Sequence, residues 1–578
     1  MVKFSVGKLP YFEKWIILGT LIGIAVGLFS IAFTILLDFF QLLFIHIILH
    51  VSYPKPLGEG GNLRIPPFHP NFLIPAILGL GGLIAGIIIY RISPETAGGG
   101  VDFAITVYHK LQGKMRKRVA LVELFTSTII LGSGGSAGDL GPMGLIGGSL
   151  ASTIAQLFDL TPEDMRRAVA VGIGSGVGAI FKAPIGGALL SAEILYRRDL
   201  EPEVILPSMI SSAIAYSIYG SYVGFQPIFG LYPFQFSPLR LPFYALLGVI
   251  IGLFSILFVK IYSTITLAFK KMKIRDEIKP AIGGVLAGLL ILIFPEVMGT
   301  GYGWDNLLEF GVIPFSSLPC IFLLLVGLVK MLASSLTIGS GGSGGIEAPA
   351  FEICAFIGAS YGLILHDLFP KVVPVIAPFV VIGMFTMFGA SAKAPLSVMI
   401  IITEMTSSLQ LLPGEMIAVA LAYVISGKYT LYPAQYPTRR ESPAHRSEYE
   451  IPILENIKIS EVPFTELRIN ENEDVMSARK LMEEEGYFSL PVVDNEGNFV
   501  GAVFYKDVAN KKGKVIEYTI RGIPYVTPNY NIENAWEIIT RTKSRWVAVV
   551  EKGKLIGVVT LEDLFNVYEK ELKKVHKD

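Results

Sequence analysis

Cysteine is almost missing from this sequence. Cys320 and Cys354 are the only two in 578 residues, and both sit inside apolar segments. The chain therefore offers neither a disulfide framework nor a cysteine-based metal site. Charge is scarce as well: only 17% of residues are Asp, Glu, Lys or Arg, and 48 basic side chains are matched by 48 acidic ones. A net charge of zero removes the basic footprint of a nucleic-acid binder. The apolar part shows no nucleophile–base pair and no metal triad, so an enzyme is not expected. What is plentiful is hydrophobic: 52% of the chain, with a mean hydropathy of +0.57. That is too apolar for a soluble protein of this length and points to many membrane spans.

The charge that exists is uneven. Residues 1–430 carry sparse, clustered charges, whereas the chain from about 450 onward is densely charged. This reads as an α-helical polytopic membrane domain over 1–446, followed by a soluble tail over 447–578 with its own core. The first apolar run, 15–49, follows the short basic stretch MVKFSVGKLPYFEKW, with no small-residue cleavage site. It reads as a spanning helix and not as a signal peptide. Further apolar segments cover 72–91, 119–131, 143–157, 167–181, 184–196, 204–220, 241–269, 279–295, 316–338, 350–366, 373–389, 393–408 and 414–432. Several hold only about 13–15 residues, short of the roughly 20 that a hydrocarbon core demands. Basic clusters at 114–118, 166–167, 197–198, 270–275 and 439–440 are all expected on the cytoplasmic side of a cell membrane, and the tail with them.

Between 118 and 166 the chain must leave that side and return, with GSGGSAGDLGP (132–142) midway; between 167 and 197 it does so again, with FKAP (181–184) midway. Each excursion predicts two half-length, re-entrant helices meeting inside the membrane. Such backbone is tolerated where it lines a cavity or is buried in protein, and there transporters place ion sites. GSGGSAGDLGP aligns without gaps with GSGGSGGIEAP (339–349), and FKAPIGGALLSAEI (181–194) with AKAPLSVMIIITEM (392–405), in the same order. Close helix packing accounts for small residues but not for eleven aligned positions that each end in proline. An internal duplication with inverted repeats is the reading.

Pro142 and Pro349 suit the first position of a new helix. The glycines ahead of them leave N–H groups free where the helix dipole adds about half a positive charge. Two such N-termini aimed at one point make an anion site without a buried cation. Few intramembrane carboxylates are expected, namely Asp102, Asp139, Glu193, Glu347, Glu352 and Glu404, whereas a cation pathway wants several that converge. Glu193 and Glu404 stand at equivalent places in the repeats, which favours a structural role at a helix break. For Asp139 a surface or capping role is expected. His46 and His50 are four apart on one expected helix, a zinc-compatible spacing, but with no third ligand nearby no metal is expected.

These motifs resemble the CLC chloride channels and chloride/proton antiporters over about residues 10–446. AGGGVDF (97–103) stands for the family's GSGIP loop, GSGGSAGDLGP for GREGP, FKAPIGGALLSAE for the NAP-initiated helix, GGIEAP (344–349) for GIFAP, and LYPAQ (431–435) with RRESPAHR (439–446) for the pore-tyrosine helix and its exit. The resemblance implies a homodimer with one pathway per subunit for chloride or another small anion, in contact with membrane lipid and requiring no cofactor. It places the pore at Gly98, Gly99, Gly100, Gly138, Leu140, Gly141, Ile346, Glu347, Ala348 and Tyr432. The departures matter as much. The family's selectivity serine falls on Gly99, its gating glutamate on Leu140, its internal proton glutamate on Ile194 and the GIFAP phenylalanine on Glu347. Leucine and isoleucine carry no proton, which implies a passive channel or an uncoupled transporter. In the repeat alignment, however, Leu140 and Glu347 share one slot, so the gate is expected to have changed halves. An antiporter using Glu347 is the alternative, and a glutamate there could also do no more than cap its own helix. A divalent-cation transporter with a similar tail is the alternative from another class.

In the tail, LPVVDNEGNFVGAVFYKDV (490–508) aligns with WVAVVEKGKLIGVVTLEDL (546–564). Each copy reads as a helix, a β pair around a glycine turn and a second helix starting near Asp507 or Asp563. The pair, at about 455–510 and 516–570, resembles tandem CBS domains of α/β fold. The resemblance implies a site for ATP, ADP or AMP at Thr560 and Asp563, while the first copy keeps Asp507 but puts Phe504 in place of the hydroxyl.

Overall fold

Apolar runs become helices in a membrane because hydrocarbon offers backbone amides no other partner. The computed structural model describes residues 6–231, 233–312, 320–445, 454, 457–542 and 544–575. The chain divides into two units, Met1–Ala444 and His445–Asp578. Helices of the first unit are α1 (Tyr11–Gln41), α2 (Ile74–Ile92), α3 (Val101–Lys110), α4 (Val119–Gly132), α5 (Leu140–Leu157), α6 (Pro162–Ile180), α7 (Pro184–Glu193), α8 (Ile205–Val223), α9 (Leu241–Lys271), α10 (Lys279–Ile293), α11 (Tyr302–Glu309), α12 (Cys320–Gly339), α13 (Glu347–Leu368), α14 (Ala377–Ser391), α15 (Pro395–Thr406) and α16 (Leu412–Ser426). Seven helical stretches among the described residues are long and apolar enough to cross a membrane. The remainder include the helices on either side of the first glycine run and of the KAP turns; α4 and α7 are half-length as expected (14 and 10 residues), whereas α5 and α6 run longer (18 and 19 residues), and α12 and α13 beside the second glycine run are among the seven.

The repeats are inverted. Both KAP turns hold their lysine in the left-handed region, Lys182 at φ +53° and Lys393 at φ +59°, and α7 and α15 start just beyond them. The Glu193 carboxylate, at the end of α7, accepts bonds from the Leu396 and Ser397 amides (3.1 and 2.8 Å) and from Ser397 Oγ (2.6 Å) at the start of α15. Glu404, near the end of α15, accepts from the Ile185 and Gly186 amides (3.1 and 2.8 Å) at the start of α7. Each helix closes the free N–H groups of the other, so the two run antiparallel. Glu193→Ala is expected to cost about 1–2 kcal/mol of stability, and Glu404→Ala a similar amount. Thermal unfolding of the detergent-solubilised protein checks this, and an unchanged midpoint in both variants would refute the capping role.

Ion pairs join the basic clusters on one face. Arg116 pairs with Glu95, Arg167 with Glu203, and Arg439 with Glu201 at 3.4 Å. Lys14 pairs with Asp164 at 2.6 Å near the start of α1. Asp38 lies 24 residues further along α1, about 36 Å at 1.5 Å per residue, and therefore marks the opposite face. Helices α3 and α11 fall outside the apolar segments read from the sequence. They are short and polar, and α11 (YGWDNLLE) is buried along its whole length. The helix expected to hold both histidines loosens into a π-helical stretch, Leu42–Ile48. His50 lies beyond it at φ +52°, so the two do not share a helix.

The second unit holds two three-stranded sheets. In the first, Ile469–Asn470 pairs parallel with Ser489–Val493, which pairs antiparallel with Phe499–Phe504; in the second, Tyr525–Val526, Trp546–Glu551 and Lys554–Thr560 repeat the pattern. Trp546 ties the copies together: its indole N–H donates to the Ser489 carbonyl and hydroxyl, both at 3.0 Å. The helix after the first sheet is only Tyr505–Val508, whereas that after the second runs Leu561–Val575.

Candidate functional site

Three helix starts converge in the middle of the first unit. The two glycine runs meet there: the Gly138 amide donates to the Gly345 carbonyl and the Gly345 amide to the Gly138 carbonyl, each at 2.7 Å. The Gly98 amide donates to the Gly342 carbonyl (3.0 Å), and the Gly344 amide to the Gly98 carbonyl (3.3 Å). This brings the start of α3 beside those of α5 and α13. Side chains are excluded by the closeness of the backbones. A methyl on Gly141 would stand 2.3 Å from the Gly99 oxygen, and one on Gly138 would stand 2.5 Å from the Ala348 methyl. Gly98 and Gly100 also need φ of +94° and +76°, a region open to glycine.

Into this convergence projects Glu347, fully buried and first in α13. The Tyr432 hydroxyl donates to its Oε1. Oε2 makes no hydrogen bond and lies against the glycines: a methyl on Gly345 or Gly141 would stand 2.5 or 3.3 Å from it. Tyr432 is held by a strap. Its amide donates to Thr430 Oγ1 (3.1 Å), Thr430 donates to Gln435, and Gln435 donates to the carbonyls of Ile194 (2.8 Å) and Ala392 (2.7 Å). Asp102 accepts from the Ala434 amide at 2.8 Å. Tyr429, the other tyrosine of this stretch, lies instead beneath Lys260. Leu140, Ile194, Ile346 and Ala348 are buried and apolar.

Two cavities reach residues of this region from opposite faces. One, of about 390 Å³, is lined by Tyr432, Ile346 and Gly98 to Gly100 and carries Lys270 and Lys279 of the basic face. The other, of about 400 Å³, is lined by Asp38, Lys55, Glu59, Asp139 and Tyr302 toward the opposite face. Asp139 is neither a surface residue nor a cap. It is 6% exposed, makes no capping bond and accepts from the Tyr302 hydroxyl at 3.0 Å.

Buried acids are also more numerous than the sequence reading allowed. Glu123, Asp305, Glu309 and Glu415 are enclosed as well. Glu123 accepts from Ser343 Oγ (2.9 Å) of the second glycine run. Lys330 pairs with Glu352 at 2.5 Å, both with no exposed side chain, and donates to the Gly299 carbonyl at 2.8 Å. The Gly299 amide in turn donates to Gly134 of the first run. A buried cation therefore does stand behind that run, already neutralised. Charged letters inside the apolar segments, in VALVELFTS and LVGLVKMLASS, are the signal that could have found Glu123 and Lys330.

In the tail, Thr560 and Asp563 satisfy each other. The Thr560 amide and hydroxyl donate to Asp563 (2.9 and 2.6 Å), and the Asp563 amide donates to Thr560 Oγ1 (3.1 Å). This is a helix N-cap pattern. Asp507 sits in the first turn of Tyr505–Val508, where Phe504 supplies no capping bond.

Comparison with known proteins agrees with this architecture. The family profile for voltage gated chloride channels matches residues 81–427, and the CBS domain profile matches 459–513 and 515–570. An uncharacterized protein of Methanocaldococcus jannaschii is 28% identical over 401 residues, 69% of this chain and 90% of its own length. The voltage-gated ClC-type chloride channel ClcB of Escherichia coli is 30% identical over 366 residues, 62% of this chain and 84% of its own. Among solved structures, a slow cyanobacterial Cl⁻/H⁺ antiporter superposes with a TM-score of 0.60 at 22% identity, over 72% of this chain and 95% of that one. A eukaryotic CLC transporter gives 0.60 at 18% identity, over 96% and 98%. The chain belongs to the voltage gated chloride channel (CLC) family and carries a C-terminal pair of CBS domains.

Proposed function

We propose that this CLC protein passes chloride or another small anion passively, with the Glu347 carboxylate as its gate. The observation that carries the reading is the Tyr432 hydroxyl donating to that carboxylate where three helix starts converge. Helix N-termini and a phenol O–H are what a dehydrated anion needs, and the tethered carboxylate competes for the same donors. Gly98, Gly99, Gly100, Gly138, Gly141, Ile346 and Ala348 supply backbone around the site, and Leu140 supplies an apolar wall in place of the family's glutamate. Uncoupled transport follows from chemistry, since neither Leu140 nor Ile194 binds a proton. The antiporter reading is supported by one observation: separate cavities, one lined by Tyr432 and the other by Asp139, open toward opposite faces. A divalent-cation route is the weaker reading, because the buried Glu352 is already paired with Lys330.

Reversal potentials of the purified, reconstituted protein under separate chloride and proton gradients test this. The passive reading expects a potential that follows the chloride gradient alone; a shift with the proton gradient would replace it with antiport.

The same proposal places the protein in a cell membrane with the basic face and the tail cytoplasmic, as a homodimer, which the family resemblance implies. Adenine nucleotide at Thr560 and Asp563 is supported by the CBS profile. Calorimetric titration of the whole chain with ATP, ADP and AMP is expected to show heat that Asp563→Ala removes. No heat with any of the three would leave the pair as a helix cap alone.

A further inference from the structure

A third cavity, of about 220 Å³, opens on the basic face behind the strap that carries Tyr432. Arg197, Arg198, Lys428, Tyr423, Val424 and Pro437 line it, and no acidic side chain does. Several basic groups elsewhere on this face are paired with acids: Arg116 with Glu95, Arg167 with Glu163 and Glu203, Lys279 with Asp276, and Arg439 with Glu201. Among the described residues, Arg197, Arg198 and Lys428 have no such partner, and Arg197 Nε is buried without a hydrogen bond. A fourth cation lies just behind. Lys393 Nζ donates to Ser426 Oγ at 2.7 Å and stands over the Tyr423 ring, 5.1 Å from its centroid. Four cations gathered without counter-charge, one with an unsatisfied buried donor, make a concave anion receptor.

The surroundings identify the anion. Val424 is 70% exposed and Ile425 is exposed beside it on α16, so apolar surface for acyl chains adjoins the charged pocket. Arginine forks match phosphate oxygens, and basic pockets between membrane helices suit lipid headgroups. We propose that this cavity binds the phosphate headgroup of an anionic phospholipid. The cavity wall is also the strap's anchor. The Arg197 amide donates to the Tyr436 carbonyl (2.9 Å) and the Arg198 amide to the Pro437 carbonyl (3.0 Å), while the Tyr423 hydroxyl donates to the Arg197 carbonyl at 2.5 Å. An occupied site therefore steadies the segment that presents Tyr432 to Glu347, and the bilayer's composition sets the stability of the pore. The inference rests on the membrane placement and stands whether or not Glu347 is a gate.

The test uses the whole chain and an Arg198→Gln/Lys428→Gln variant, both positions being exposed and outside the pore. Native mass spectrometry with phosphatidylglycerol and phosphatidylcholine measures binding, and thermal unfolding is followed with each lipid and with inorganic phosphate. The wild type is expected to retain phosphatidylglycerol selectively and to unfold at higher temperature with it. Each charge removed should weaken that binding about fivefold, and Arg198→Lys/Lys428→Arg should restore it. Retention by the Gln variant equal to the wild type's would overturn the site. Equal stabilisation by inorganic phosphate alone would overturn the lipid as its occupant.

Discussion

Glu347→Ala is expected to raise chloride efflux from proteoliposomes by at least about tenfold, equivalent to removing a competitor worth ~1.4 kcal/mol. The carboxylate is fully buried, bonded to Tyr432 and held by α13 at the point where an anion would meet the same donors. A tethered competitor acts at high effective concentration, so diffusible chloride displaces it only in part. Alanine removes the oxygens and leaves the glycine cradle, which is backbone, unchanged. Glu347→Gln separates charge from shape. It should give an intermediate flux that no longer responds to pH, whereas wild-type flux should rise on acidification as the carboxylate takes up a proton and loses its hold on the donors. Sign and cause agree: the blocking species is the anion, and acid removes it. If alanine and glutamine both left flux and its pH response as in the wild type, Glu347 would be a structural residue and not a gate.

The second large effect concerns stability. Lys330→Met is expected to destabilise the protein by about 3–5 kcal/mol, because it strands the Glu352 carboxylate in the interior. The pair lies 2.5 Å apart with neither side chain exposed, and Lys330 also donates to the Val297 and Gly299 carbonyls at 3.2 and 2.8 Å. Removing both partners together is a different matter, since an apolar pair of similar volume escapes the desolvation penalty. Lys330→Met/Glu352→Leu should therefore recover most of the loss. Thermal unfolding in detergent, with the fraction monodisperse on gel filtration, measures both. A double variant as unstable as the single one would show that the lysine's carbonyl bonds, and not the stranded charge, carry the effect.

Much of this architecture is written in the spacing of charges and glycines. Apolar runs too short to span, bracketed by arginines, yielded the broken helices, and the repeat of Pro184 and Glu193 in Pro395 and Glu404 foretold structural glutamates at helix breaks. What stayed hidden depends on three dimensions. Helix α11 was invisible because a short helix buried on every side has no apolar stripe, and Asp305, Asn306 and Glu309 disguise it as a loop. The Lys330–Glu352 pair joins two different helices, so no local pattern announces it. Asp139 read as a surface group because its burial depends on Tyr302, far along the chain. For Glu347 the alignment identified the slot, but that its carboxylate meets the Tyr432 hydroxyl, 85 residues on, is decided by packing and not by any local pattern.

Anomalous diffraction from crystals grown in bromide tests the central claim most directly. In the Glu347→Ala protein a bromide peak is predicted between the Tyr432 hydroxyl and the starts of α5 and α13, while in the wild type at neutral pH the carboxylate holds that position and no peak appears. Bromide bound there in the wild type with Glu347 still on Tyr432, or absent there from the variant, would contradict the account.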